Sequence, residues 1–269
     1  MLNRFYGALH MYKNIFLVYG LLILATGFLQ ASPQAEVLEK GVVRIAAAAN
    51  LAAVAPALTA AFRGIKPEIK LEWTFASSGS LTNQILNGAP YDIFLSADTS
   101  FPQQIQESGF ATTAPQVYAF GLLILFSNGR VDLSKGVRAL GETVGQFAMA
   151  NPETAPYGRA ARQVLKKAGL WESLSSRAVF GQSITQAKQM ALTATGLGFI
   201  HKSALGDQDM APYQREGTFW INVDPALYDP LEQSFVILKG ATPLVEDFRS
   251  FVVGPEARNL LAQAGYGTP

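Results

Sequence analysis

Four short segments, each lying between a strand-like run and a helix-like run, carry hydroxyl, amide and glycine residues. They lie around Asn50, Ser77–Ser80, Pro156 and Ser183. Asn50 falls where a helix N-cap is expected, Pro156 suits the first helical turn, and Ser183 precedes a glutamine at capping-box spacing. Helix N-termini leave backbone N–H groups unpaired, and such groups bind anions without lysine or arginine. A site built from these segments would hold a compact oxyanion through neutral hydrogen bonds. Ordinary capping explains Ser183 taken by itself, however, and composition and periodicity alone predict only an exported α/β protein with segments suited to anions.

The elements that must position these segments alternate between strand and helix. Strands are predicted at residues 42–46, 69–75, 92–96, 116–126, 146–150, near 179, 197–201 and 233–238. Helices are predicted at 51–62, 81–86, 156–167, 183–193, 243–253 and 256–264. Alternating elements with short connections predict an α/β fold of parallel or mixed sheets covered by helices. Right-handed crossovers then place the C-terminal ends of the strands, and the helices that follow them, on one side of each sheet.

Composition excludes several classes of protein. The 269 residues are 49% apolar and carry a net charge of +1, so the chain is not intrinsically disordered and lacks the basic excess of a general nucleic-acid binder. The chain has no cysteine, which excludes disulfides, thiol nucleophiles and cysteine zinc sites.

The N-terminus has the pattern of a secretory signal. Arg4 and Lys13 precede an apolar run over residues 15–29, and small residues follow up to Ala35. A membrane-spanning helix needs about 20 apolar residues, so this run is short for an uncleaved anchor. We therefore predict a signal peptide at residues 1–35, cleaved near Ala31 or Ala35. Export leaves His201 as the remaining histidine.

Catalytic motifs are missing from the sequence. It contains no G-x-S-x-G, S-x-x-K, G-x-G-x-x-G or P-loop pattern. A serine–histidine–aspartate triad would rest entirely on His201, and Ser203 lies too near it in sequence to suggest one. We therefore expect no catalytic residues and no cofactor, and an exported hydrolase and a scaffold or sensor that contacts a membrane partner remain the weaker alternatives.

Three ordered motifs within about fifty residues resemble the periplasmic molybdate-binding proteins of ABC importers. That family shows A-A-A-S-L, F-A-S-S-S-x-L and G-A-P-x-D-x-F-x-S-A-D at nearly this spacing. The matching stretches here are residues 46–51, 75–81 and 88–98, and the likeness continues through 151–171 and 196–200.

The resemblance implies a two-lobed periplasmic binding protein that clamps its ligand between the lobes. The first lobe would comprise residues 36–122 and 231–269, and the second residues 123–230. The expected function is capture of molybdate or tungstate in the periplasm and delivery to a membrane permease that a separate ATPase drives. We expect a monomer that binds neither nucleic acid nor a metal cofactor, since molybdenum enters only as the oxyanion. The alternative is a binding protein for sulfate, phosphate or a small organic acid.

The resemblance also places ligand-binding roles on five residues. The anion-contacting serine of the first motif falls on Asn50, whose amide would donate, and that of the second falls on Ser78. Backbone N–H groups would come from Tyr157 and Ile184. His201 stands where the family often has a tyrosine. It would donate one ring N–H to the anion, or gain charge and add attraction at lower pH, or face solvent or a backbone carbonyl while Tyr157 supplies a hydroxyl. Asp92, Ser96 and Asp98 would cap or support the site, since a carboxylate repels a dianion.

Overall fold

The structure, a computed structural model, describes residues 41–269. The predicted signal peptide at residues 1–35 lies outside them. Within the described part of the chain, no helix combines the length and apolar character needed to cross a membrane.

The first sheet has five strands in the order β2-β1-β3-β10-β4. Their bounds are Gly41–Ala48 (β1), Ile69–Ala76 (β2), Ile93–Leu95 (β3), Gln116–Gly121 (β4) and Leu231–Ile237 (β10). Strands β1, β2 and β3 are parallel, and β10 runs antiparallel to both β3 and β4. Helices cover both faces, because Phe62 and Phe248 pack on one side and Leu81 and Ile105 on the other. This sheet and its helices are called the first lobe.

The second sheet also has five strands, in the order β7-β6-β8-β5-β9. Their bounds are Leu123–Ser127 (β5), Phe147–Ala150 (β6), Ala178–Gly181 (β7), Leu197–His201 (β8) and Trp220–Asn222 (β9). Val164 and Leu165 belong to the buried cluster on one face, and Ala191 and Met210 to the cluster on the other. This sheet and its helices are called the second lobe.

Most helices of the described residues fall between these strands, as an α/β fold requires, and the last two follow β10. The α-helices are Ala55–Ile65 (α1), Ser78–Leu86 (α2), Ser100–Glu107 (α3), Ala139–Glu142 (α4), Pro156–Lys167 (α5), Trp171–Leu174 (α6), Ile184–Met190 (α7), Val245–Val252 (α8) and Pro255–Gln263 (α9). Short 3₁₀ turns lie at Ala49–Leu51, Gly136–Arg138, Ser175–Arg177, Lys202–Gly206, Gln208–Tyr213 and Pro225–Leu227, and a π-helical turn at Ala191–Thr195.

The chain passes between the lobes twice, from β4 to β5 and from β9 to β10. The apolar run predicted at 116–126 therefore splits at Leu122 into two strands of different sheets. Strands of the first sheet fall within 36–122 and 231–269, and those of the second within 123–230. The exact lobe boundaries stay a prediction.

Several predicted boundaries were wrong. Asn50 does not cap a helix, because it lies inside the 3₁₀ turn 49–51. Helix α1 begins only at Ala55, four residues after the end of that turn. Helix α2 begins at Ser78, not at residue 81. The predicted helix 183–193 becomes α7 followed by the π-helical turn. Helix α3 was missed because only Pro102 and Ile105 of its eight residues are buried, so its sequence shows little apolar periodicity.

Candidate functional site

All five predicted ligand-binding residues follow or end a strand at its C-terminal edge. Asn50 comes directly after β1, and Ser78 is the first residue of α2, after β2. Tyr157 and Ile184 lie in the first turns of α5 and α7, after β6 and β7, and His201 ends β8. All five side chains are buried. Asn50 and Ser78 come from the first lobe and the other three from the second.

The two lobes touch beside these residues. The backbone N–H of Gly79 donates to the carbonyl of Thr154 over 2.9 Å, and the Thr185 hydroxyl donates to the carbonyl of Ala49 over 2.9 Å. A Cβ atom at Gly79 would lie 2.9 Å from the Thr154 oxygen, which is closer than real Cβ contacts allow. Glycine at this position therefore lets the two backbones meet next to Ser78.

Ser77 and Ser78 have different hydrogen-bonding roles at the start of α2. Ser77 is the N-cap, and its hydroxyl oxygen accepts from the N–H of Ser80 over 3.4 Å, in line with its predicted role in the turn. The Ser78 hydroxyl oxygen accepts from the N–H of Ala97 over 3.0 Å. The hydrogen of the Ser78 hydroxyl has no acceptor among the described residues, so it is available to donate to a ligand.

The side-chain amide of Asn50 is hydrogen-bonded to other residues of the first lobe. Its Nδ2 donates to Oε1 of Gln233 over 3.1 Å and to the Tyr266 hydroxyl over 3.0 Å. Its Oδ1 is buried and has no partner in the described part of the chain. The amide therefore presents an acceptor rather than the predicted donor in this arrangement, and a half-turn about its Cβ–Cγ bond would exchange the two.

Gln233 links groups from both lobes and was missed by the sequence analysis. Its Oε1 accepts from Asn50 and from the Tyr118 hydroxyl over 3.0 Å, and its Nε2 donates to the Tyr157 hydroxyl over 3.1 Å. Gln233 is fully buried on β10. A glutamine inside an otherwise apolar strand was the signal in the sequence, because a buried amide needs hydrogen-bond partners.

The tyrosines around Gln233 are neutral donors. Burial raises the pKa of Tyr118, Tyr157 and Tyr266 above its usual range, so all three hydroxyls keep their protons. Tyr157 accepts from Gln233, and its own hydroxyl hydrogen has no acceptor within residues 41–269. Tyr157 therefore offers a second free O–H besides the Ser78 hydroxyl.

His201 is neutral and enclosed, which argues against the alternative in which it gains charge as the pH falls below neutrality. Burial, with a further contribution from the Lys188 cation, lowers its pKa to about 3. It faces neither solvent nor a backbone carbonyl, because it is 1% exposed and its Nδ1 lies 2.8 Å from the Ser203 hydroxyl oxygen. Nε2 is buried without a partner among the described residues, and the Tyr157 ring lies 6.0 Å away, centroid to centroid.

Ile184 opens the helix whose capping box was predicted. Ser183 accepts from the N–H of Gln186 over 3.2 Å, as that motif requires. The Gln186 side-chain oxygen accepts from the N–H of Gln182, whereas a standard capping box would use the N–H of the N-cap residue, Ser183. The N–H groups of the first helical turn, including those of Ile184 in α7 and Tyr157 in α5, have no acceptor within their own helices.

Charged groups near the site are paired with one another. Asp98 accepts from Arg159 of the second lobe and from the Ser96 and Ser100 hydroxyls. Asp92 accepts from the N–H groups of Arg44 and Thr242, at 2.6 and 2.8 Å, so it supports backbone rather than facing a ligand. Across residues 41–269, no three histidine, aspartate or glutamate side chains come together as a metal site would require.

Two α/β lobes, joined by two crossovers and meeting at the C-terminal edges of their strands, have the architecture of a solute-binding protein. Residues 43–267 match the family described as bacterial extracellular solute-binding protein, and the chain belongs to that family.

The relatives point to one branch of the family. The chain is 35% identical over 250 residues to the molybdate-binding protein ModA of Azotobacter vinelandii, covering 91% of this chain and 95% of that protein. It is 36% identical over 235 residues to ModA of Rhodobacter capsulatus, covering 85% and 89%. The solved structure of the periplasmic molybdate-binding protein of Azotobacter vinelandii superimposes with a TM-score of 0.76 at 29% identity, covering 84% of this chain and 99% of that one.

Proposed function

We propose that this chain captures molybdate, and tungstate equally, outside the cytoplasm and delivers it to the permease of an ABC importer. The observation that carries the proposal is a buried set of neutral donors contributed by both lobes, with the Ser78 and Tyr157 hydroxyls free to donate. The relatives named ModA support the same ligand.

The charge and protonation of the ligand explain why neutral donors suit it. Molybdate is a tetrahedral dianion without a proton at neutral pH, so every oxygen accepts hydrogen bonds. Phenol and hydroxyl O–H groups, together with the N–H groups at helix N-termini, supply hydrogen-bond donors without any charged side chain. Sulfate has the same charge but shorter bonds, and discrimination against it must come from the size of the closed site.

A second candidate ligand follows from one atom. The buried Oδ1 of Asn50 has no partner among the described residues and would suit a ligand that carries a proton, such as hydrogen phosphate. A half-turn of the amide would remove that preference. Phosphate is therefore the rival ligand that a binding experiment must include.

In the proposed cycle the anion binds to one lobe and the second lobe then closes over it. The closed pair of lobes is the form that a permease would recognise, and a separate ATPase would supply the energy. The chain would act as a monomer, exported through the signal peptide predicted at residues 1–35.

Thermal unfolding with molybdate, tungstate, sulfate or phosphate added separately tests the ligand. A ligand at about 100 times its dissociation constant stabilises the native state by about 2.7 kcal/mol, which raises the melting temperature measurably. We expect molybdate and tungstate to raise it and sulfate and phosphate not to. A rise with phosphate in place of molybdate would transfer the function to the rival ligand, and no rise with any anion would refute an oxyanion site.

A further inference from the structure

His201 and Ser203 form a buried pair where β8 ends. The ring Nδ1 lies 2.8 Å from the Ser203 hydroxyl oxygen, and the two residues are 1% and 3% exposed. The other ring nitrogen, Nε2, is buried without a partner among the described residues. An unpaired buried polar atom destabilises the folded protein, so this nitrogen calls for a hydrogen-bonding group from outside the protein.

The role of Nε2 depends on which ring nitrogen carries the single proton of neutral imidazole. If the Ser203 hydroxyl donates to Nδ1, the proton lies on Nε2 and that atom is a donor. If Nδ1–H donates to Ser203, Nε2 is a bare acceptor. The hydrogen bond made by Nδ1 thus determines whether Nε2 is a donor or an acceptor toward a ligand.

The Ser203 hydrogen has two candidate acceptors. One is Nδ1 of His201, and the other is the Tyr266 hydroxyl, whose pKa is raised by burial and whose interaction with the Ser203 hydroxyl offsets only part of that rise. Tyr266 gives its own hydrogen to the carbonyl of Asn50 over 2.7 Å, so it does not need to accept from Ser203 to be satisfied. A ligand at Nε2 that only accepts would favour donation from Ser203 to His201.

We propose that Ser203 is a positioning residue, whose hydroxyl donates to Nδ1 of His201 and so fixes the tautomer that donates Nε2–H to the bound oxyanion. This inference rests on the proposed function and adds the atom through which His201 takes part. It makes His201 a donor without making it a cation, which matches the neutral hydroxyls of Ser78 and Tyr157.

Nitrogen NMR of the histidine ring reads the tautomer directly. The chain contains two histidines, so a His10→Gln background in the full chain leaves His201 as the single source of signal. With ¹⁵N-histidine labelling and saturating molybdate, we expect Nε2 to show the shift of a protonated nitrogen and Nδ1 that of an unprotonated one. The reverse assignment in the molybdate complex would overturn the proposal.

Substitution of Ser203 tests its positioning role. Removing the hydroxyl in Ser203→Ala should weaken molybdate binding roughly tenfold and abolish the preference for the Nε2–H tautomer, since Nδ1 loses its donor. Ser203→Thr keeps a hydroxyl and should restore both. Ser127→Ala removes another fully buried serine of the second lobe, one that bonds to the carbonyl of Val131, and should leave molybdate affinity unchanged.

The outcomes separate this proposal from the function on which it rests. Calorimetry that detects no molybdate binding by the unsubstituted chain would refute the proposed function. Molybdate binding with unchanged affinity in Ser203→Ala would refute the role of Ser203 and leave the function standing. Ligand-free melting curves of each variant show whether a weaker affinity reflects loss of the fold.

Discussion

His201 illustrates how burial decides the chemistry of a residue. A histidine near neutrality normally divides between charged and neutral forms, but enclosure lowers the pKa of this one to about 3. The unfolded chain, whose histidine has a pKa near 6.5, therefore binds a proton between about pH 6.5 and pH 3 that the folded chain does not. Stability then falls as the pH falls through that window, because protons favour the unfolded state.

We predict a pH effect on stability but none on the charge of the site. Between pH 7 and pH 5 the chain should lose about 2 kcal/mol of unfolding free energy that a His201→Gln variant does not lose. Urea unfolding of both proteins at the two pH values measures the difference. Equal losses in the two proteins would show that His201 is not buried as a neutral group.

The same neutrality predicts that the molybdate affinity of the unsubstituted chain does not rise from pH 8 to pH 5.5. A histidine that became charged would strengthen binding of a dianion as the pH fell. Calorimetric titrations across this range would detect such a rise, which would contradict the lowered pKa.

At the scale of elements, the crossover from β4 to β5 sets the position of Tyr157. Gly121 ends β4, and a Cβ atom there would lie 2.5 Å from the Tyr157 hydroxyl oxygen and 2.8 Å from Nε2 of Gln233. Real Cβ atoms do not approach so closely, and both neighbours are buried. The absence of a side chain at the end of β4 thus lets a helix of the second lobe bring its tyrosine to the crossover from β4 to β5, which is called the hinge.

We predict that Gly121→Ala lowers the unfolding free energy by about 1–3 kcal/mol through overpacking. It should also weaken molybdate binding, since Tyr157 and Gln233 must move. Gly64 is the matched control: it lies exposed in α1 with no atom near its would-be Cβ, so Gly64→Ala should raise stability by about 0.5–1 kcal/mol. Urea unfolding of both variants gives the two signs, and an undiminished stability of Gly121→Ala would show that the hinge tolerates a methyl group.

At the scale of the whole molecule, an ion pair near the candidate site joins the two lobes. Arg159 of α5 in the second lobe contacts Asp98, which follows β3 in the first lobe, and donates to Ser100 over 3.2 Å. Its guanidinium also lies 4.8 Å from the centre of the Phe101 ring. Because these contacts join residues of different lobes, they stabilise the arrangement in which the lobes meet.

We predict that Arg159→Ala weakens molybdate binding on the order of three- to tenfold and makes the affinity less sensitive to salt. Arg162 lies on the same helix but pairs within the second lobe, at 2.6 Å from Glu153, so Arg162→Ala should leave affinity unchanged. Calorimetry at low and high salt compares the two. Equal effects of the two substitutions would refute a role for the Arg159 pair in closure.

Local sequence patterns predicted most of the elements of this fold. Helix α5 and strand β8 have their predicted bounds, and the two-lobed α/β architecture is as expected. Hydrogen bonds within a helix and between side chains three or four residues apart depend on neighbours in sequence, so periodicity and capping residues reveal them. Helix α3 was not predicted because it is mostly polar, and strand β9 was not predicted because it has only three residues.

The alternation of strands and helices, the segments rich in hydroxyl groups and, through the family motifs, the residues expected at the site could all be read from the sequence. How those residues are hydrogen-bonded and protonated depends on the packing of the folded chain. Asn50 meets Gln233 and Tyr266 across 183 and 216 residues, and the pKa of His201 depends on complete enclosure by both the sheet and its neighbours. Such contacts and desolvation arise only when segments distant in sequence pack together. A local residue pattern therefore does not predict which hydrogen-bond donor will contact which acceptor.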